Sequence, residues 1–464
     1  MHKFNNTILR AYDIRGVFNK TLFCNDAYFI AKAFFKYLLD NNYHNNIVIG
    51  YDGRKSSTHL KDSLVKGFIE SGANIKLIHL CPTPMLYYAV NYLKCDAGIM
   101  ITGSHNPKDH NGFKITLKDK PFFGSEIQHL ANIVDKGEFV SGKGNVADIE
   151  IENKYIERLM QDIENINDIS DIKIAWDCGN GATGNVITNL TSKLANINYK
   201  LYEKIDGNFP NHHPDPSDIK NMIDLQKKVK DKNCDFGIAF DGDGDRIGVV
   251  DDLGEVISGD DLMIIFAKEV INNNPGCRVI ADVKASNILF DKITEFGGIA
   301  IMHKTGHSFI KSKLKEVGAL LAGEMSGHIF FADKYYGFDD AIYSAIRLIN
   351  IIKKSKKKLS ELRKEIPKKY STNEIRINCD DNIKFNLINE IKKYLIDNNY
   401  QFNDIDGIRC YDHRGWWLLR ASNTQPAIVA RCEAISQIYL DEIKQELHDI
   451  MNKYSLLISI SELK

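Results

Sequence analysis

The chain has 464 residues, 44% apolar and 26% charged, and its 60 Lys and Arg nearly cancel 61 Asp and Glu. That length holds about three or four ordinary domains, and the composition excludes a disordered or fibrous chain. Balanced charge excludes a global field for nucleic acid or an anionic membrane, so any anion site must be local.

The N-terminal "MHKFNNTILRAYDIRG" lacks the apolar centre of a signal peptide. No stretch approaches the roughly 18 apolar residues of a membrane span. Nine scattered cysteines form no CxxC pair, which argues against a zinc site or disulfide scaffold and fits a reducing cytoplasm.

In chain order, "LRAYDIRG" (9–16) first gathers Arg10, Tyr12 and Arg15. A short apolar strand ending in an Asp loop follows as "NIVIGYDGR" (46–54). It recurs as "IKIAWDCGNGATG" (172–184) and "RVIADVKASN" (278–287), with Asp52, Asp177 and Asp282 in register. After each copy comes a second strand and loop: "DAGIMITGSHNP" (96–107), "DFGIAFDGDGDR" (235–246) and "VGALLAGEMSGH" (317–328), registering Gly103, Gly242 and Gly323. Segments 57–72, 219–232 and 308–318 repeat apolar residues near i, i+3 and i+4, the period of an amphipathic helix. Strands alternating with helices predict βαβ crossovers. The reading is three tandem, similar α/β domains with mixed or mostly parallel sheets, at 1–150, 151–252 and 253–364. Each offers a loop at the carboxyl ends of its strands, where α/β ligands bind.

The Lys-rich segment 351–367 marks a boundary, its charges lying on a solvated helix face. Beyond it, 365–464 reads as strand, helix, strands with a loop and a closing helix, a smaller α+β domain around the same central cleft.

The loops carry the chemistry. "DGDGDR" (241–246) sets Asp241, Asp243 and Asp245 at i, i+2 and i+4, separated by glycines that allow a tight fold. Converging carboxylates repel unless a cation neutralises them, and hard oxygen ligands favour Mg²⁺, Mn²⁺ or Ca²⁺. An EF-hand is excluded, because Arg246 occupies its glycine position and "IGVVDD" continues as strand. "RASNTQP" (420–426) combines a guanidinium with hydroxyls and an amide, donors that suit phosphate oxygens. Walker A, GxSxG and HExxH are all absent from the sequence.

"TGSHNP", "DGDGDR", "GEMSGH" and "RASNTQP", one per domain and in this order, resemble the α-D-phosphohexomutases. Within that family the chain is most similar to the bacterial phosphomannomutase/phosphoglucomutase branch, from "RAYDIRG" to "RCEA". The resemblance implies that Ser104 carries a phosphoryl group and shares Mg²⁺ with Asp241, Asp243 and Asp245. It also implies exchange of phosphate between C1 and C6 of mannose or glucose through a sugar 1,6-bisphosphate, which also acts as activator. Proton transfer falls to His105, Lys114 and His328, with Arg15 electrostatic, since guanidinium rarely titrates. Sugar and phosphate contacts are expected from Tyr12, Arg246, Lys284, Gly306, His307, Glu324, Ser326 and His328. The opposite phosphate falls to Arg420, Ser422, Asn423 and Thr424. Gln425 departs from a common Glu.

Phosphorylated hexoses are thus the expected partners of a cytoplasmic enzyme, monomer or dimer, feeding cell-surface polysaccharide synthesis. Phosphoglucosamine mutase is a rival reading, disfavoured by Met325 where Gln is usual in that branch. A catalytically idle sugar-phosphate-binding homologue is another, disfavoured by the intact Ser104 and three aspartates.

Overall fold

Three aliphatic runs that lead into aspartate form interior strands of three sheets in the computed structural model, which describes residues 2–163, 169–423, 425–454 and 456. The first sheet contains β1 (Ile14–Val17), β2 (Asn46–Tyr51), β3 (Asn74–Leu80), β4 (Ala97–Ile101), β5 (His110–Leu117) and β6 (Asn145–Asp148). The second contains β7 (Lys173–Asp177), β8 (Ile197–Leu201), β9 (Phe236–Phe240), β10 (Ile247–Asp251) and β11 (Val256–Ile257). The third contains β12 (Arg278–Asp282), β13 (Ile299–His303), β14 (Leu321–Gly323) and β15 (Ile329–Phe331).

One unit occurs in all three. The spatial orders β3-β2-β4-β5, β8-β7-β9-β10 and β13-β12-β14-β15 are the same path, with the Asp strand second in each. The first two contacts of each path are parallel and the third is antiparallel. The sheets are therefore mixed. "TGSHNP", "DGDGDR" and "GEMSGH" sit in the turns of the antiparallel hairpins β4–β5, β9–β10 and β14–β15.

The helices follow their apolar periods. In Ser57–Ser71, Leu60, Leu64 and Phe68 are buried, and Gly72 ends the helix in the left-handed region at φ 103°. Segment 219–232 differs from the single helix expected. It opens as a 3₁₀ turn, Ile219–Met222, capped by the Asp218 side chain on Lys220 N, and becomes α-helical only at Ile223. Ile219 and Ile223 stay exposed, while Met222, Leu225 and Val229 anchor it.

Buried side chains of the first three domains merge into one apolar cluster, running from Val48 and Met100 through Trp176 and Phe240 to Phe331 and Leu359. The first domain has a further core of its own.

The C-terminal sheet contains β16 (Tyr370–Ser371), β17 (Ile375–Asn378), β18 (Phe402–Asn403), β19 (Ile408–Tyr411), β20 (Gly415–Ala421) and β21 (Ala427–Ala434). Its ladders are antiparallel. Strand alternation explains the apolar "WWLLR" run. Trp417, Leu419 and Ala421 face this domain's own core, whereas Trp416 and Leu418 pack on Val283 of the third domain. Arg420 follows on the same face as Trp416 and Leu418 and so reaches the cleft. Among the described residues, no helix is long and apolar enough to cross a membrane.

Candidate active site

Ser104 stands in the β4–β5 turn with a left-handed backbone, φ 50°, and is buried. Such a conformation is uncommon for a residue with a Cβ and needs support. The support is a wholly buried guanidinium. Arg54 donates to the carbonyls of Ser104 (2.7 Å), Asn106 (2.6 Å), Pro107 (2.5 Å) and His110 (3.1 Å). Asp52 pairs with Arg54 Nε at 3.1 Å and accepts from Thr102 Oγ1, Ser57 Oγ and Gly103 N.

The repeat aspartates share this task. Asp177 accepts from Gly179 N at 2.9 Å and lies 3.0 Å from His212 Nε2. Asp282 accepts from Thr305 Oγ1 at 2.9 Å. Each is buried at the end of its strand; Asp52 and Asp177 accept from the loop that follows, whereas Asp282 accepts from the loops after the two neighbouring strands, at Thr305 and Met325.

Ser104 Oγ donates to Asp241 Oδ2 at 3.0 Å and lies 3.1 Å from His105 Nδ1. The hydroxyl reaches the second domain because the two loops nearly touch. A Cβ at Gly242 would lie 2.4 Å from the Ser104 carbonyl oxygen, so only glycine fits there.

Asp241, Asp243 and Asp245 are fully buried, and one oxygen from each lies within 4.8 Å of the others. Asp241 Oδ1 accepts from the backbone of Gly244, Asp245 and Arg246. Lys114 donates to Asp243 Oδ2 at 2.7 Å and to Asp245 Oδ2. Burial and the two neighbouring carboxylates push Asp241 well above the usual carboxylate range. Burial also pushes Asp243 up, but Lys114 outweighs it and holds this carboxyl below its ordinary value. Asp243 Oδ1 and Asp245 Oδ1 are buried without a hydrogen-bond partner among the described residues. Orphaned carboxylate oxygens beside a serine hydroxyl fit a hard divalent cation, because one Lys leaves this triad negative.

His105 is kept neutral by burial and then by the cations Arg246, Arg15 and Lys114, which hold its imidazole well below the ordinary value. Arg15 donates to Asn106 Oδ1 at 2.9 Å and pairs with Asp13.

A cavity of about 970 Å³ opens onto Ser104, His105, Lys114 and Arg15, with Tyr12 at its edge. Arg246, Lys284, Gly306, His307, Glu324, Ser326 and His328 line it from the second and third domains. Arg420, Ser422 and Asn423 complete the wall, so the serine loop and the C-terminal loop face one space. The three aspartates lie behind it, reached through Ser104, and Thr424 lies outside the described residues.

Tyr12 ties the cleft together. Its hydroxyl donates to Thr305 O at 2.8 Å and accepts from Asn423 Nδ2 at 2.7 Å. The Gly306 backbone sits at φ 132°, and a Cβ there would lie 2.6 Å from the Tyr12 ring. Gly306 N donates to Glu324 Oε1 at 3.2 Å, and Ser326 Oγ to Glu324 Oε2 at 3.3 Å. Lys284 donates to Glu374 at 3.0 Å. Arg420 Nε is held by Asp406 at 3.0 Å, while its Nη2 is buried with no hydrogen-bond partner among the described residues.

Residues outside the sequence motifs also line the cavity. Arg431 on β21 donates to Asp260 Oδ2 at 3.1 Å, and Arg376 donates to Gln425 Oε1 at 2.6 Å. Val429, Arg431 and Glu433 alternate with the core-facing Ile428, Ala430 and Cys432, a period-2 signal present in the sequence.

Family models match most of the chain. The phosphoglucomutase/phosphomannomutase α/β/α domains I, II and III match residues 6–141, 153–254 and 258–370, and the C-terminal domain matches 374–450. A phosphomannomutase/phosphoglucomutase of Pseudomonas syringae pv. tomato is 43% identical over 97% of this chain and 96% of its own. A phosphoglucomutase of Neisseria gonorrhoeae is 40% identical over 99% of both. A phosphoglucomutase/phosphomannomutase family protein of Burkholderia thailandensis superposes with a TM-score of 0.90 at 36% identity, covering 97% of this chain and 98% of its own.

Proposed function

Because the chain belongs to the phosphoglucomutase/phosphomannomutase family of α-D-phosphohexomutases, we propose that Ser104 is its phosphoryl carrier. The enzyme is a hexose-phosphate mutase, an intramolecular phosphotransferase. The finer reading is exchange between C1 and C6 of glucose and mannose phosphates, primed by a sugar 1,6-bisphosphate.

One observation carries the assignment: a buried Ser104 hydroxyl rests 3.0 Å from a triad of buried carboxylates. Asp241, Asp243, Asp245 and Ser104 would hold Mg²⁺. When bound, that ion neutralises charge on the transferring phosphoryl group. The other parts follow from this chain's own groups. As the Oγ–P bond breaks, phosphorus bonds to the free sugar hydroxyl, whose proton passes to an imidazole of the cleft. His105, 3.1 Å from Ser104 Oγ, is placed to manage the proton on the serine side. Lys114 and Arg15 add positive charge where the phosphoryl group crosses. Glu324 and Ser326 accept and donate to ring hydroxyls, and Arg420 holds the phosphate that does not react. All four domains contribute to the wall that faces Ser104, and closure of that cleft around substrate would keep water from the phosphoserine.

The test is a mutase assay on glucose 1-phosphate, mannose 1-phosphate and glucosamine 1-phosphate, with sugar bisphosphate supplied. Ser104→Ala should lower kcat by about 10³-fold or more, roughly 4 kcal/mol of barrier. Unchanged turnover removes Ser104 from the mechanism, and preference for glucosamine 1-phosphate reverses the sugar assignment.

A further inference from the structure

The carboxylates of the triad do not use their two oxygens alike. Asp241 Oδ1 takes three backbone N–H groups, and its Oδ2 accepts from the serine hydroxyl. On Asp243 and Asp245, Oδ2 accepts from Lys114 while Oδ1 has no hydrogen-bond partner among the described residues.

Asp243 has a further partner, and it comes from another domain. Thr83 is fully buried and opens the helix Thr83–Tyr92 of the first domain. Its Oγ1 donates to Asp243 Oδ2, and its backbone N donates to Asp243 O at 2.8 Å. Only such bonds tell the two carboxylate oxygens apart, because rotation about Cβ–Cγ has a broad, two-fold preference. Lys114 cannot fix that rotation alone. Its ammonium rides on a flexible stem and is shared with Asp245. The Thr83 hydroxyl instead sits on a β-branched carbon, stiff at χ1, in a residue whose backbone is already tied to Asp243. Lys114 thus supplies charge, and Thr83 supplies direction.

A purely architectural role, fastening the first domain to the second, is the rival. The bond from Thr83 N to the Asp243 carbonyl does that already and survives loss of the hydroxyl. Among the described residues, the hydroxyl itself donates to the carboxylate alone.

We infer that Thr83 is a positioning residue for the cation, its hydroxyl holding Asp243 Oδ2 so that Oδ1 is the oxygen left to ligate Mg²⁺. The inference deepens the reading of the triad as the Mg²⁺ site and rests on it.

Mn²⁺ titrated into the full-length enzyme, and followed by loss of the free ion's electron paramagnetic resonance signal, tests it. Thr83→Val keeps the side-chain shape and removes the hydroxyl. Its Kd for Mn²⁺ should rise roughly 10–100-fold, the usual effect of losing a hydrogen-bond partner of a metal ligand. Thr83→Ser keeps the hydroxyl and should bind Mn²⁺ as the wild type does. Wild-type affinity in Thr83→Val overturns the inference. Weakened binding in Thr83→Ser overturns it too, even where the Val variant does not fold, because packing would then be the cause. Failure of the Mg²⁺ reading looks different. Asp243→Asn would then bind Mn²⁺ as tightly as wild type, whereas failure of the Thr83 role alone leaves Asp243→Asn impaired and Thr83→Val normal.

Discussion

A serine held at φ 50° under four accepting carbonyls is a residue whose backbone has been arranged for it, and Arg54 does the arranging. Its fork of donors reaches acceptors in several directions at once, which the three donors of an ammonium on a flexible stem cannot reproduce. Arg54→Lys should therefore lower stability by about 2–4 kcal/mol, the scale of lost charged hydrogen bonds in a buried site. Urea unfolding at neutral pH measures it. In the folded fraction kcat should fall while KM for glucose 1-phosphate stays near normal, because Arg54 touches the serine loop and no residue of the Arg420 wall. An unchanged kcat would leave Arg54 with a purely architectural role. Ser104 and the DGDGDR aspartates were legible because each motif is contiguous in the chain. Arg54 was not, since its partners lie about fifty residues away and nothing near it in sequence marks them.

At the scale of elements, the hairpin is the device repeated three times. A parallel strand delivers the chain to the cleft, a turn exposes the functional side chains, and an antiparallel strand returns it. Alternating strands and helices made the parallel part legible, but antiparallel return strands leave no separate mark when both faces of the sheet are covered. The register aspartates stood out in the sequence without their purpose, which is to accept from the loops at the cleft end of each sheet. Asp177 makes that purpose measurable. Burial lowers the His212 pKa, yet the hydrogen bond and charge of Asp177 outweigh it and leave the imidazole above its ordinary value. A His raised in the folded state stabilises at pH below its unfolded pKa, and that contribution fades as pH rises through the folded one. His212→Gln should thus cost about 1 kcal/mol more at pH 6 than at pH 9. Chemical denaturation at the two pH values checks this, and an equal cost at both would show that folding does not raise the imidazole's pKa.

At the scale of the molecule, three domains share one apolar cluster while the fourth keeps its own core and leans on the third through Val283, Trp416 and Leu418. Arg409 stacks on Trp416 at 3.7 Å and donates to Ala285 O at 2.9 Å across that contact. Toward the first domain the fourth makes smaller polar contacts, Asn423 with Tyr12 at 2.7 Å and Asp381 with Arg10 at 3.4 Å. The serine and the C-terminal guanidinium thus sit on separately packed bodies that face one cavity. A mutase that exchanges the two ends of a sugar needs this separation. The reacting end must meet Ser104 whichever carbon it is, and the idle phosphate must meet the same clamp in both poses. Arg420 suits the clamp, with Nε fixed on Asp406 and a buried Nη2 that has no hydrogen-bond partner among the described residues. Arg420→Ala should raise KM for glucose 1-phosphate and for glucose 6-phosphate by the same factor, corresponding to roughly 2–3 kcal/mol for a lost charged hydrogen bond. Equal factors are the specific signature, because one clamp serves both orientations. Steady-state kinetics in the two directions read it directly. A change confined to kcat, or to one direction only, would place the idle phosphate somewhere other than the C-terminal loop.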